Sequence, residues 1–296
     1  MSMTTYSYGM PFSEWLGKNL EDQYIRVKKN NKASLIIIDG AVGEGKTTLA
    51  IQCADYINKL DGKEEVNIKS QDQYGMGGSD FLKKLRICYQ KKLPVCIYDE
   101  AGDFAKRASL TRFNAMLNRT FETFRAFKIV VIIVLPSFSV LDNDIFDKGI
   151  PQMLVNTYGR DNNSGNFRVF DFARMMYIRH YMKKEVIKKK VYGKVYPNIY
   201  GHFKNLSNKR SKELDFVSTQ GKLEELQASE VKIEGLIGVT DIAKRLVRSV
   251  SWVYKAVSIT KFKPNRIIGN KKYYDESILD VLGDMVVKEN KRLAED

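Results

Sequence analysis

The run Gly40-Ala41-Val42-Gly43-Glu44-Gly45-Lys46-Thr47-Thr48 gathers three glycines, a lysine and two hydroxyls into nine residues. Phosphate chemistry uses that combination. Glycines let the backbone curl until its N–H groups converge on an anion, and a following helix adds its partial positive end. The spacing fits the G-x-x-x-x-G-K-[ST] pattern at every fixed position. Lys46 is expected to reach β- and γ-phosphates, and Thr47 to complete a magnesium shell. A glycine turn with an incidental lysine is the plain alternative, and the flanks weigh against it. Leu35-Ile36-Ile37-Ile38 reads as a buried strand before the loop, and Leu49-Ala50-Ile51 as the opening of a helix after it.

A second cluster follows a second apolar run. Leu93 to Tyr98 reads as a buried strand ending in Asp99-Glu100. Parallel core strands present their C-terminal residues at one sheet edge, the edge where the glycine loop lies. Asp99 is expected to bind magnesium through water, and Glu100 to orient or activate an attacking water. Ile129 to Leu135 is a third apolar strand, ended by Pro136-Ser137; Ser137 either senses phosphate at that edge or caps the turn Ser137-Phe138-Ser139. Of the arginines between Arg107 and Arg125, Arg119 and Arg125 are the preferred candidates for a finger entering a neighbouring subunit's phosphate pocket, against an exposed solubilising role. Arg160 either approaches nucleotide or bounds a surface turn.

The elements that must position these groups follow in chain order. A short helix is expected over Phe12 to Leu20, within an N-terminal arm or cover (1–30). Thr47 to Leu60 is the helix behind the glycine loop, Val66 to Ile68 a short strand, Gln71 to Gly78 a loop, and Ser79-Asp80 the cap of a helix running towards Gln90. Phe113, Met116, Leu117, Phe121, Phe124 and Phe127 form a helical core stripe. Met153 to Tyr158 is a further strand. Phe167 to Phe172 alternates as another, and beyond it aromatics and lysines through Tyr200 suit a peripheral sheet with one wet face, or stacking on bases. The main domain is thus expected over 31–202, with 203–233 as a connection.

A smaller unit is expected over 234–288, ahead of a charged tail (289–296). Thr240 would cap a first helix, Trp252, Val253, Ala256 and Val257 would lie on a second, and Arg266 to Tyr274 would form a wing. That pattern reads as a winged helix-turn-helix. Val247 stands at a turn position that often holds glycine. Ser251, Lys255 and Lys261 are candidate groove or backbone contacts with DNA, with Arg266, Lys271 and Lys272 as wing phosphate contacts. Protein contacts or a purely structural cap are the competing readings.

Composition sets the bounds. The 296 residues carry 49 Lys+Arg against 35 Asp+Glu, a net charge of +14 that favours a polyanionic partner. Cys53, Cys88 and Cys96 lack metal-ligand spacing and read as reduced buried thiols, and His180 and His202 have no companion for a metal. The longest aliphatic run is too short to span a bilayer and no export signal opens the chain, so a cytoplasmic location, in a host cell where relevant, without transmembrane insertion is expected.

Taken together, Gly40 to Thr47, Val95 to Glu100 and Ile129 to Ser137 resemble P-loop ATPases of the RecA-like, additional-strand group. Their order and the Asp-Glu pair look most like the HerA/FtsK, zonula-occludens-toxin-like and viral DNA-packaging ATPases. The expected fold is therefore α/β, a P-loop NTPase with a RecA-like central parallel sheet and a small C-terminal winged helix-turn-helix-like domain. The resemblance implies ATP and Mg2+ as ligands and hydrolysis coupled to DNA translocation, packaging or remodelling. It also implies a homo-oligomeric ring, a hexamer among its sizes, in a viral or mobile-element setting with replication or packaging proteins as partners. An ATP-controlled DNA-binding adaptor or helicase loader is the alternative, with a small-molecule kinase and a C-terminal oligomerisation clamp behind it.

Overall fold

A computed structural model describes residues 11–76, 78–99, 125–161, 164–184, 188–230, 236–268 and 271–295. Glu100 and Arg119 lie outside the described residues, as does the aromatic stripe before residue 125. The chain divides into two compact units, Met1–Gly221 and Lys222–Asp296.

The first unit is built on a seven-stranded sheet. Its strands are β1 (Ser34–Gly40), β2 (Tyr74–Met76), β3 (Val95–Asp99), β4 (Val130–Leu135), β5 (Pro151–Tyr158), β6 (Ser164–Asp171) and β7 (Ile199–Lys204), in the order β2-β3-β4-β1-β5-β6-β7. The first five are parallel, and β6 and β7 extend the sheet antiparallel beyond β5. β4 thus lies between the glycine-loop strand β1 and the Asp99 strand β3, which is the additional-strand arrangement of the RecA-like P-loop NTPase fold. All seven residues of β1 are buried, as are all of β3 and β4, because helices cover both faces.

Alternation divides the core into two layers. Ile36 and Ile38 pack with α1 (Glu14–Lys28) and α2 (Lys46–Leu60) on one face. Leu35 and Ile37 pack on the other with α3 (Gly78–Gln90), the short α4 (Asn143–Asp147) and α5 (Phe172–Lys184). Cys53, Cys88 and Cys96 are buried free thiols. No helix among the described residues is long and apolar enough to cross a membrane.

Several sequence expectations are corrected here. Val66 to Ile68 forms no strand; Val66 is instead anchored through its N–H to Asp55 Oδ1 at 2.8 Å, and both apolar side chains are buried as plugs. The expected loop 71–78 contains the edge strand β2, paired to β3 because Tyr74 is buried against the core. After β6 the chain first turns into helix α5, its Met175, Ile178 and Met182 facing the core, and then returns as β7, an edge strand with one exposed face; the expected peripheral sheet is thus found at Tyr200 and a helix stands at 172–184. The N-terminal helix runs on to Lys28, with Leu16, Leu20 and Val27 on its buried side. Residues 203–220 hold the end of β7 and the first half of α6 (Asn208–Glu230), whose Leu214 and Val217 join the α2 layer.

The second unit runs β8 (Leu236–Gly238), α7 (Val239–Arg245), α8 (Val250–Thr260), β9 (Arg266–Ile268), β10 (Lys271–Asp275) and α9 (Ile278–Glu295). The strands form one antiparallel sheet in the order β8-β10-β9. Ile242, Val253, Ala256, Tyr274, Ile278 and Leu282 close a separate small core. This is a winged helix-turn-helix-like arrangement. Gly238, not Thr240, occupies the cap position of α7. Ser249 caps α8, its Oγ accepting from the Trp252 N–H at 3.1 Å. α9 extends to Glu295, through the segment expected to be a charged tail.

Candidate active site

β1 delivers the chain to the glycine loop at the C-terminal edge of the sheet. Gly40 lies so close to β5 that a Cβ there would overlap the Thr157 hydroxyl. Gly45 has φ 77° and caps α2 without a side chain, and a Cβ on it would come within 2.8 Å of the Phe203 ring. The first turn of α2 carries no acidic residue and no side-chain cap, so its N–H groups are left to an external anion. Val42, at the crest, is 93% exposed.

Lys46 folds back along this loop. Its Nζ donates to the Gly40 carbonyl at 2.9 Å and the Ala41 carbonyl at 2.8 Å. Burial pulls the ammonium below its usual range, opposed by Asp99, Asp39 and Glu44. Two strands away, buried Asp99 receives two hydrogen bonds on one oxygen: Thr47 Oγ1 donates to Oδ2 at 2.7 Å, and Tyr74 Oη donates to the same atom at 2.7 Å. Burial, then the neighbouring Asp99, pushes the Tyr74 phenol well above its ordinary value, keeping it a donor.

Thr47 Oγ1 and Asp99 Oδ2 are hard oxygens of the type magnesium takes; they meet at 2.7 Å, and would hold the ion through the hydroxyl directly and the carboxylate through water. Among the described residues no group of three His, Cys, Asp or Glu could hold a metal. A cation relying on one hydroxyl, one carboxylate and its substrate's phosphates matches how magnesium is usually bound. The residues present therefore fit the group.

Beneath the loop lies a buried acid near the end of β1, Asp39. Asp39, fully buried, accepts from the Phe138 N–H at 3.0 Å, from Asn156 Nδ2 at 2.9 Å, and from Tyr192 Oη. Burial raises its carboxyl above the usual range, with those three donors and Lys46 opposing. One side chain so ties the root of the glycine loop to the turn after β4, to β5 and to the 188–193 turn. Its signal in the sequence is a charged residue closing an apolar run; nothing comparable marks Tyr74, Asn156 or Tyr192.

The remaining candidates separate clearly. Ser137 stands at the same edge and caps the turn 138–140, its Oγ accepting from the Ser139 N–H at 3.4 Å. Arg160 lies beside the loop: its N–H donates to Glu44 Oε2 at 2.9 Å, and its Nη2 donates to Asn205 Oδ1 at 2.8 Å. Thr48 is buried at the start of α2. Arg125 is exposed at the end of a helix and makes no described contact with the loop. In the second unit Ser251, Lys255, Lys261 and Lys272 are exposed. Ser251 Oγ lies 2.9 Å from Ser249 Oγ. Arg266 and Lys271 lie on the paired wing strands β9 and β10. Tyr254, 50% exposed on α8, shares the face of Ser251 and Lys255 and was not singled out from the sequence.

No protein-family model matches the chain, and no curated protein matches it in sequence. Among solved structures it is similar to a DNA replication initiation factor, at 14% identity over 83% of this chain and 73% of that one, TM-score 0.30. It is also similar to the flagellar accessory protein FlaH from Methanocaldococcus jannaschii, at 15% identity over 57% and 88%, TM-score 0.28. A third is the replication initiator DnaA bound to AMPPCP and single-stranded DNA, at 16% identity over 79% and 67%, TM-score 0.30. Likeness at this level leaves the functional argument to the chain's own residues.

Proposed function

We propose that the chain is an ATPase acting on DNA, in the manner of the HerA/FtsK-like and packaging ATPases, with hydrolysis coupled to translocation, packaging or remodelling within a homo-oligomer. One observation carries the reading: the Thr47 hydroxyl and the Asp99 carboxylate, from α2 and β3, meet at 2.7 Å beside an uncapped glycine-loop helix. That pair stands where a magnesium nucleotide seated on the glycine loop would use both oxygens.

In this reading the loop from Gly40 to Thr48 cradles the phosphates, and Lys46 turns from the Gly40 and Ala41 carbonyls onto the β- and γ-oxygens. Magnesium, held by Thr47 and Asp99, supplies neutralisation of phosphate charge. Tyr74 fixes the Asp99 carboxylate, Glu100 orients the attacking water, and Ser137 contacts the terminal phosphate or that water. Arg160 borders the nucleotide on the β5 side, while Arg119 or Arg125 of a neighbouring subunit completes the charge. The winged unit contributes DNA contacts through Ser251, Lys255, Lys261, Arg266, Lys271 and Lys272, consistent with the +14 charge.

ATP hydrolysis measured with and without single- and double-stranded DNA, alongside the mass of the nucleotide-bound assembly, tests this. DNA-stimulated phosphate release in a closed multimer is expected. Absence of ATP binding would overturn the reading, and strong ATP-dependent DNA binding without sustained turnover would replace it with the adaptor or loader role.

A further inference from the structure

A cavity of about 330 Å³ opens beside the glycine loop, lined by Gly40, Ala41 and Ser137 on one side and by Tyr158, Arg168 and Tyr192 on the other. Arg168 is the unusual member. It projects from β6, an antiparallel strand outside the parallel core, and is half-buried. Its guanidinium lies 4.9 Å from the Tyr158 ring centre and 5.2 Å from that of Tyr192, and its Nε donates to Asn156 Oδ1 at 2.9 Å. Two ring faces and one hydrogen bond hold the planar fork in place.

Among the described residues no carboxylate meets that fork, and its terminal amino groups carry no hydrogen bond and no ion pair. Arg210, by contrast, forks onto Asp55 at 2.5 and 3.0 Å, with Glu65 3.1 Å away. The acids near Arg168 are already engaged. Asp39 is held by Tyr192, Asn156 and the Phe138 N–H, and the Glu44 carboxylate in the cavity wall accepts the Arg160 N–H. The terminal amino groups are not enclosed, Arg168 lines the cavity, and its fork geometry matches phosphate oxygens.

We propose that this cavity is a second anion site, in which Arg168 receives a phosphoryl group next to the glycine loop. Two sources share that chemistry: the terminal phosphate of a triphosphate whose other phosphates lie in the loop, or a separate phosphate-bearing molecule. The first source rests on the nucleotide reading above; the second stands without it. Either way the cation is supplied in cis from β6, by a residue the sequence pattern presents as one more polar position on an alternating strand.

Calorimetric titration separates the sources. If the phosphate belongs to the nucleotide, Arg168→Gln weakens a non-hydrolysable ATP analogue by about 10- to 100-fold and leaves ADP within about twofold. If it belongs to a separate molecule, inorganic phosphate binds the ADP-loaded wild-type protein, and Arg168→Gln abolishes that binding. Arg168→Lys, which keeps the charge but not the fork, falls between, and it carries the test should the glutamine variant fail to fold. Should ADP not bind at all, the nucleotide reading fails, and phosphate titrated onto the nucleotide-free protein decides this one. The proposal is overturned if wild-type protein takes up no phosphate and the folded variants keep the wild-type ratio of triphosphate to diphosphate affinity.

Discussion

The glycine-loop corner and the winged unit both carry polar residues suited to polyanions, and they carry them in opposite ways. At the loop, Thr47 and Tyr74 donate to Asp99, and Asn156, Tyr192 and the Phe138 N–H donate to Asp39, through hydrogen bonds between separate elements. On the winged unit, Lys255, Lys261 and Lys272 stand in solvent. Buried polar groups survive only with fixed partners, so their arrangement is specific and any deletion leaves an orphan. Exposed lysines form screened, interchangeable contacts. Substitution in the first region should therefore act steeply and singly, and in the second shallowly and additively.

The steepest effects fall at the phosphate loop. Lys46→Ala should cost at least about 100-fold in kcat/KM for ATP, chiefly through productive nucleotide engagement. Glu100→Gln should cost about 10²–10⁴-fold in kcat while nucleotide affinity is retained. Steady-state phosphate release with parallel nucleotide titrations measures both. Undiminished turnover of Glu100→Gln at saturating ATP would remove that residue from the reaction.

A titration probes the same region through stability. The Asp39 carboxyl is raised by burial, so the folded chain keeps this proton to higher pH than the unfolded chain does. The contribution is fully present below the ordinary aspartate value of about 3.9 and is lost as pH rises towards the folded value. Asp39→Asn carries no such proton. The stability of wild type relative to Asp39→Asn should therefore fall as pH rises from about 4, read as the difference in urea midpoints across the series. A constant difference would mean that the Asp39 carboxyl titrates alike in the folded and unfolded chain.

These contrasts explain what the sequence made legible. Apolar runs ending in Gly40, Asp99 and Ser137 locate the sheet edge where the glycine loop lies, because a fully buried parallel strand has an unbroken hydrophobic signature and its polar residues appear where it ends. The same logic missed β2: three residues on an edge strand are too short for a period, and Tyr74 owes its place to one hydroxyl bonded to a residue 25 positions away. Helix α5 was missed because its exposed face carries Tyr177 and Tyr181, so aromatics fall on both sides and blur the period. Arg168 was invisible for a related reason, since its position is set by Tyr158, Tyr192 and Asn156 and not by its own identity. In the winged unit the elements were legible and their contacts were not, because exposure alone does not say which lysine meets a ligand.

Shallower changes are expected on the exposed side. Replacing Lys255 and Lys272 together by alanine should weaken DNA binding several-fold, and should lower the slope of log affinity against log salt by about 1 for each lysine that meets a phosphate. ATP turnover without DNA should not move. An unchanged slope would assign the charged face to something other than a nucleic-acid backbone.

The smallest effect concerns the turn that sets the angle between α7 and α8. Arg248 N–H bonds the Ala243 carbonyl at 2.9 Å and Val247 N–H bonds the Lys244 carbonyl at 3.3 Å, the paired bonds of a Schellman ending. That ending needs a left-handed residue, and Val247 supplies it at φ 53° while 85% exposed. A β-branched residue there is strained by about 1–2 kcal/mol, partly offset because glycine would lose more chain entropy on folding. Val247→Gly should therefore stabilise the unit by about 0.5–1 kcal/mol, whereas Val247→Ala, which keeps a Cβ, should recover less. Thermal unfolding of the full chain reads the difference. Destabilisation by glycine would mean that the exposed valine makes a contact worth more than its strain, and the surface of this unit would then be held as tightly as the interior of the other.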